Sequence, residues 1–160
     1  ASFIRNRLTQ LTLTNSDGGD LQSSYGLVLT GGSITITNNV EYITPESLGV
    51  VNTPMGHVYG NRAVSGSFTC YLDHGNAASS DLLQDLLSST TKVKNNFNAT
   101  FKVGGSATPR VEFNCPQAHL EIPSHSVEDV ISMEVNFHAV PSDIANTDEI
   151  TIKYFGTATA

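Results

Sequence analysis

The chain has 160 residues, of which 39% are hydrophobic and only 14% charged, and it carries a formal net charge of −7. That length suits one domain, residues 1–160, with a single buried core. The acidic balance and the lack of any basic run exclude a binder that grips nucleic-acid phosphates, and no stretch approaches the ~20 apolar residues of a membrane helix.

Charged residues make up about a quarter of an average protein, and here Ser, Thr, Asn and Gly stand in their place. These types suit strands and turns more than exposed helices, so the composition leans towards a mostly β fold. Cys70 and Cys115 lack the spacing of a metal site or a disulfide framework. Ala1-Ser2-Phe3-Ile4-Arg5 has no apolar signal region, and on these grounds the expected compartment is the cytosol.

Residues 8–14 alternate, with Leu11 and Leu13 on one face, and predict a half-buried strand. Turn formers gather over 15–20 and end it. A brief strand is expected at 25–29, broken by Gly31-Gly32 from a clearer one over 33–44, with a bend or bulge near Asn38-Asn39. Residues 45–61 behave differently. Pro45, Gly49, Pro54, Gly56 and Gly60 argue against a regular element, yet Leu48, Val50, Val51, Met55 and Val58 are apolar. A structureless loop of this length is uncommon without a task. It either folds back on its own core or buries those five side chains on another protein. The second reading is preferred, because large exposed apolar patches mark interaction surfaces.

Residues 62–73 alternate cleanly, with Val64, Gly66, Phe68, Cys70 and Leu72 pointing one way. Leu82, Leu83, Leu86 and Leu87 then recur at helical spacing and predict one helix at about 79–89, capped by Ser79, Ser80 or Asp81. Further strands are expected at 96–103, from Pro109 through Cys115, at 118–122 after Pro116, at 127–140 and at 149–155. In the longest, Ile131, Met133, Val135, Phe137 and Ala139 face inward. Ile150, Ile152 and Tyr154 close the domain.

Catalytic chemistry is thinly supplied. There is no Gly-x-Ser-x-Gly elbow and no glycine-rich phosphate loop. His119 and His125 are six apart, and His138 lies on a neighbouring predicted strand, which is not the usual spacing of metal ligands. Glu128-Asp129 and Asp148-Glu149 are adjacent pairs whose members point to opposite faces of a strand. Both thiols fall on apolar registers and read as core. No catalytic residue, cofactor or metal is expected, and the chain does not read as an enzyme.

Three segments taken together resemble the tail tube, or major tail, proteins of long-tailed bacteriophages, over roughly residues 31–155. They are Asn61-Arg62-Ala63-Val64-Ser65-Gly66-Ser67-Phe68-Thr69, the helix that follows it, and Ile131-Ser132-Met133-Glu134-Val135-Asn136-Phe137-His138-Ala139-Val140-Pro141 with its loop and closing strand. The resemblance implies a β-sandwich or barrel-like domain flanked by one helix. It further implies rings, six copies each, stacked into a DNA-conducting channel in the virion tail and assembled in the host cytoplasm. The implied partners are other copies, the initiator, terminator and tape-measure proteins of the tail, and DNA passing through without specific binding. Residues 45–61 match the family's long inter-strand loop, which makes Leu48, Val50, Val51, Met55 and Val58 inter-subunit contacts. Glu134, Glu41 and Glu112 become candidates to line the lumen and repel phosphate. Two alternatives stand beside this reading. One is the tube protein of a related contractile injection or secretion machine; the other is a carbohydrate-binding or adhesin β-sandwich, although the chain has no Trp to stack on sugars.

Overall fold

A computed structural model of the chain describes residues 3–15, 22–43, 56–88, 96–121, 124–126 and 131–156. A 3-10 turn, Asn6–Leu8, leads into β1 (Gln10–Asn15), against which β2 (Ser24–Leu27) returns antiparallel. Next come β3 (Leu29–Thr37), β4 (Val40–Ile43), β5 (Gly56–Tyr59) and β6 (Ala63–Tyr71). The helix α1 (Ser79–Ser88) separates these from β7 (Phe97–Val103), β8 (Arg110–Leu120), β9 (Ser124–Ser126), β10 (Ser132–Ala139) and β11 (Thr151–Phe155). Nine strands form one antiparallel sheet in the order β2-β1-β7-β8-β10-β6-β3, with β11 also pairing β8 and β9 pairing β10. The other two, β4 and β5, form a separate hairpin.

Alternation puts one face of each central strand in the core. Leu11 and Leu13 of β1, Val64, Phe68 and Cys70 of β6, and Met133, Val135 and Phe137 of β10 are buried as expected. The long strand β8 pairs β7 along most of its length, β11 through its first half and β10 through its last three residues. It is therefore the corner at which the sheet folds over itself. Phe101 of β7 stacks on Phe137 of β10 with ring centroids 5.6 Å apart and meets Phe68 of β6 edge-on at 6.5 Å. These rings join the two layers over one core.

Several expected breaks fall elsewhere. Gly31 and Gly32 do not interrupt the chain but lie inside β3, after a bulge between Leu29 and Gly31. A Cβ on Gly32 would lie 3.0 Å from the Ser67 carbonyl oxygen, so the glycine permits close approach of β6. Nor does Pro116 divide two strands. It sits in β8 where the register with β7 shifts between Phe97↔Ala118 and Ala99↔Cys115, a bulge that does not need its missing N–H. The bulge resets the alternation, so Cys115 and Ala118 both face the core. The expected strand over 33–44 does bend at Asn38-Asn39, where β3 ends before β4. Ile122 and residues 127–130 lie outside the described residues.

The helix carries a narrower apolar stripe than its spacing suggests. Leu82 is fully buried, Leu83 and Leu86 pack at the edge of the core, and Leu87 is 60% exposed. Ser79 does not cap its own helix. Its hydroxyl donates to the Tyr71 carbonyl at 2.7 Å and accepts from the Asp73 N–H at 2.8 Å, tying the helix start to the end of β6. Asp81 accepts from the Ala77 N–H at 2.8 Å. The Tyr25 hydroxyl, reaching out of the core, donates to Asp85 at 2.5 Å, and burial together with that carboxylate pushes its pKa up.

Candidate assembly surface

The sequence reading of residues 45–61 as a loop without regular structure needs correction at its end. Gly56–Tyr59 is a strand, paired antiparallel with Val40–Ile43 in the register Val40↔Tyr59, Glu41↔Val58, Tyr42↔His57 and Ile43↔Gly56. Of the five apolar positions singled out, Val58 lies in this hairpin. Leu48, Val50, Val51 and Met55 lie outside the described residues. The glycine at position 56 begins the strand without interrupting its ladder.

Register sorts the hairpin into two faces. Val40, Tyr42, His57 and Tyr59 share one, where the His57 ring meets Tyr42 and Tyr59 edge-on at 6.3 and 4.6 Å and also hydrogen-bonds the Tyr59 hydroxyl. Glu41, Ile43 and Val58 share the other. All eight strand residues are exposed, Tyr42 by 69% and Tyr59 by 74%. A two-stranded ribbon with apolar side chains on both faces, and no third strand paired to it among the described residues, is marginal alone in water.

The base of the hairpin is nevertheless fixed. Asn39 Nδ2 donates to the Asn61 carbonyl at 2.8 Å, and the Gly60 N–H donates to the Asn39 carbonyl. Arg62, the next residue, donates from Nε to Glu149 at 3.1 Å and from a terminal nitrogen to both Glu149 and the Thr147 carbonyl. These hydrogen bonds hold the buried Glu149 carboxyl below the usual carboxylate range. The Ser142 hydroxyl and N–H do the same for Asp148 and close the loop over 141–148. An open depression results between the hairpin base and this loop, with the fully exposed Ile144 on its rim.

The candidate acidic residues do not come together. Glu134 is exposed on the outward face of β10, beside Ser132 and Asn136 and opposite Thr69. Across this layer the outward row comprises Ser33 and Thr35 of β3, Ser65, Ser67 and Thr69 of β6, and Glu134, Asn136 and His138 of β10, with no Lys or Arg among them. Glu41 stands on the hairpin. Glu112 of β8 is half-buried between Lys102 of β7 and Lys153 of β11, its direct partners on either side, with Arg110 Nε at 4.0 Å. The two outward faces thus differ in sign. One carries hydroxyls and a carboxylate; the other carries three cations around one acid.

Sequence reasoning missed four exposed apolar positions. Ile131, expected inward, precedes β10 and is exposed, as is Leu87. Ile152 and Tyr154, expected to close the domain, are exposed on β11, which lies at the sheet edge beside the first half of β8. No periodicity signal separates a strand that meets its own core from one whose faces stay open. His119 and His138 face each other across β8 and β10, and His138 Nε2 lies 3.1 Å from Glu121. Among the described residues no group of three or more His, Cys, Asp or Glu side chains is arranged to hold a metal ion. The buried Cys70 and Cys115 thiols are pushed up to about 11 by burial.

Comparison with known proteins gives these surfaces a context. The profile described as phage tail tube protein matches residues 8–148. The tail tube protein pb6 of Escherichia phage T5 is 36% identical over 151 residues, a match covering 92% of this chain and 32% of that protein. The chain thus spans about a third of that relative's length. The cap of the anti-feeding prophage superimposes with a TM-score of 0.63 at 11% identity, covering 97% of this chain and 93% of that one. The extended sheath–tube complex of the extracellular contractile injection system PVC gives 0.63 at 12% identity, covering 95% and 92%. The SPP1 tail tube gives 0.55 at 13% identity, covering 84% and 74%. At these identities the superpositions establish a shared fold.

Proposed function

The chain belongs to the phage tail tube protein family, and from that premise we propose that it is the repeating subunit of a tail tube: copies close into rings, six to a ring, and rings stack into a channel that passes DNA. The observation that carries this reading is the β4–β5 hairpin, anchored at its base by Asn39–Asn61 and Arg62–Glu149 yet exposing apolar side chains on both faces. A folded chain leaves such a ribbon open when another copy covers it. In this reading Val58, with Leu48, Val50, Val51 and Met55 in the same inter-strand segment, makes inter-subunit contacts.

The outward face of β3, β6 and β10 is the proposed lumen wall. Its hydroxyls and Glu134 offer phosphate no cation to pair with, so DNA would slide along it without sticking. Glu41 on the hairpin and Glu112 between Lys102 and Lys153 are weaker candidates, Glu112 because its charge is already matched. Initiator, terminator and tape-measure proteins are the further partners of such a tube, and the work of the subunit is structural, not catalytic. The injection-system tubes share the fold, so an injection-machine tube is the second reading, and the presence or absence of packaged DNA in the native particle separates the two.

Electron microscopy of the native particle tests the proposal. Stacked rings containing this chain are expected. A particle with the chain present and no ring or tube would overturn it.

A further inference from the structure

One outward row crosses four strands. Thr35 of β3 is the direct partner of Ser65 on β6, Ser65 of His138 on β10, and His138 of His119 on β8. Both imidazoles are exposed. His138 Nε2 lies 3.1 Å from one oxygen of Glu121, just past the end of β8, and Asn136 Nδ2 donates to the other oxygen at 3.1 Å. The His138 and Glu121 side chains are 60% and 50% exposed. His119 has no ion-pair partner among the described residues. What faces the two rings from β6 and β3 is hydroxyl, Ser65 and Ser67 beside Thr35 and Ser33. On β10 the next carboxylate is Glu134, also exposed. The charged and titratable groups around the pair are thus two carboxylates, Glu121 and Glu134, and the two histidines themselves.

We infer that His119 and His138 form a phosphate contact on the proposed lumen wall that mild acid switches on, slowing the DNA that passes. The inference rests on the reading of this face as the lumen wall and adds to it a site for the phosphodiester backbone. Histidine is the side chain that ordinarily changes charge between about pH 5 and 8. With both rings neutral, the face carries Glu121 and Glu134 and repels phosphate. With both charged, two positive charges offset those two negative ones, and the repulsion is lost. The two new charges are not equivalent. The charge on His138 completes an ion pair with Glu121, whereas the charge on His119 stays open to solvent. Directly opposite residues on antiparallel strands hold their Cβ atoms about 5 Å apart, where like charges repel. A phosphate oxygen set between two imidazolium rings relieves that repulsion, which favours an anion at this spot. Each contact is weak and salt-sensitive, but a stack of rings repeats it along the channel.

DNA ejection from native particles tests this, timed at about pH 8 and about pH 5.5, on either side of the histidine range. The natural particle should eject several-fold more slowly in acid, and added salt should restore most of the rate. Particles carrying His119→Gln with His138→Gln should lose most of that slowing and match the natural rate at the alkaline end. Both positions are exposed, and glutamine keeps a donor for Glu121, so the fold should hold. Equal rates at both pH values in the natural particle, or undiminished slowing in the double variant, would overturn the inference. Glu134→Lys separates the underlying reading from it. If that variant leaves passage unchanged at about pH 8, where histidine is neutral, this face is not the lumen wall.

Discussion

Arg62 donates from Nε and from a terminal nitrogen to a single oxygen of Glu149, 87 positions further along the chain. The pair joins the stem between the hairpin and β6 to the loop that precedes β11. Its position follows from topology: β6 and β10 are antiparallel neighbours, so the residue entering β6 and the loop leaving β10 meet at one pole.

Arg62→Ala should lower stability by about 1–2 kcal/mol, the range for charge-assisted hydrogen bonds reduced because the Arg62 side chain is partly exposed. The pH dependence has a definite sign. Glu149 titrates below the ordinary carboxylate range when folded, so its contribution is present in full above about pH 4.3 and is lost as pH falls through the folded-state value. Denaturant titrations at several pH values should therefore find Glu149→Gln less stable than the natural chain at neutrality, with the gap closing in acid. A gap independent of pH would contradict the assignment.

Gly66→Ala should destabilise the domain by about 1–3 kcal/mol or more, because a Cβ there would meet the Ser33 carbonyl oxygen and lie 2.7 Å from the Phe137 ring. Thermal unfolding reads this directly. Gly26→Ala, where the added carbon meets nothing within 4 Å, is the control and should be nearly neutral.

Tyr42→Asp with Val58→Asp should leave the fold within about 0.5 kcal/mol of the natural chain, since both side chains point to solvent. On the proposed assembly the same variant should form no tubes under the microscope. Loss of the fold would show instead that the hairpin packs on its own domain.

On the proposed lumen wall, Glu134→Lys should slow DNA passage and make it sensitive to salt, because each added cation offers phosphate a counterion-release contact. Ejection kinetics at two ionic strengths measure this. Glu112→Gln, flanked by Lys102 and Lys153, should have little effect on the rate.

Cys70 and Cys115, with thiols pushed up to about 11, should resist thiol reagents at neutral pH until the domain unfolds. Labelling should track global unfolding across denaturant, and rapid labelling of the native chain would show that the two layers open.

Where a segment's environment is set by its own alternation, the amino-acid sequence determined the outcome. The inward rows of β1, β6, β7 and β10 and the bend at Asn38-Asn39 were legible because period-two patterning reports which side of a strand is buried. So was the apolar character of the segment between β4 and β5. Tertiary structure decided what depends on a partner far along the chain. Gly31-Gly32 lies within a strand because β6 approaches closely, and Pro116 sits in β8 because a bulge against β7 spares its absent N–H. Ile152 and Tyr154 stay exposed because β11 pairs only the first half of β8. The hairpin's apolar residues were legible, but the pairing of Val40–Ile43 with Gly56–Tyr59 was not. Burial is a property of what packs on a side chain, and that neighbour is chosen by the fold of the whole sheet, not by the local pattern.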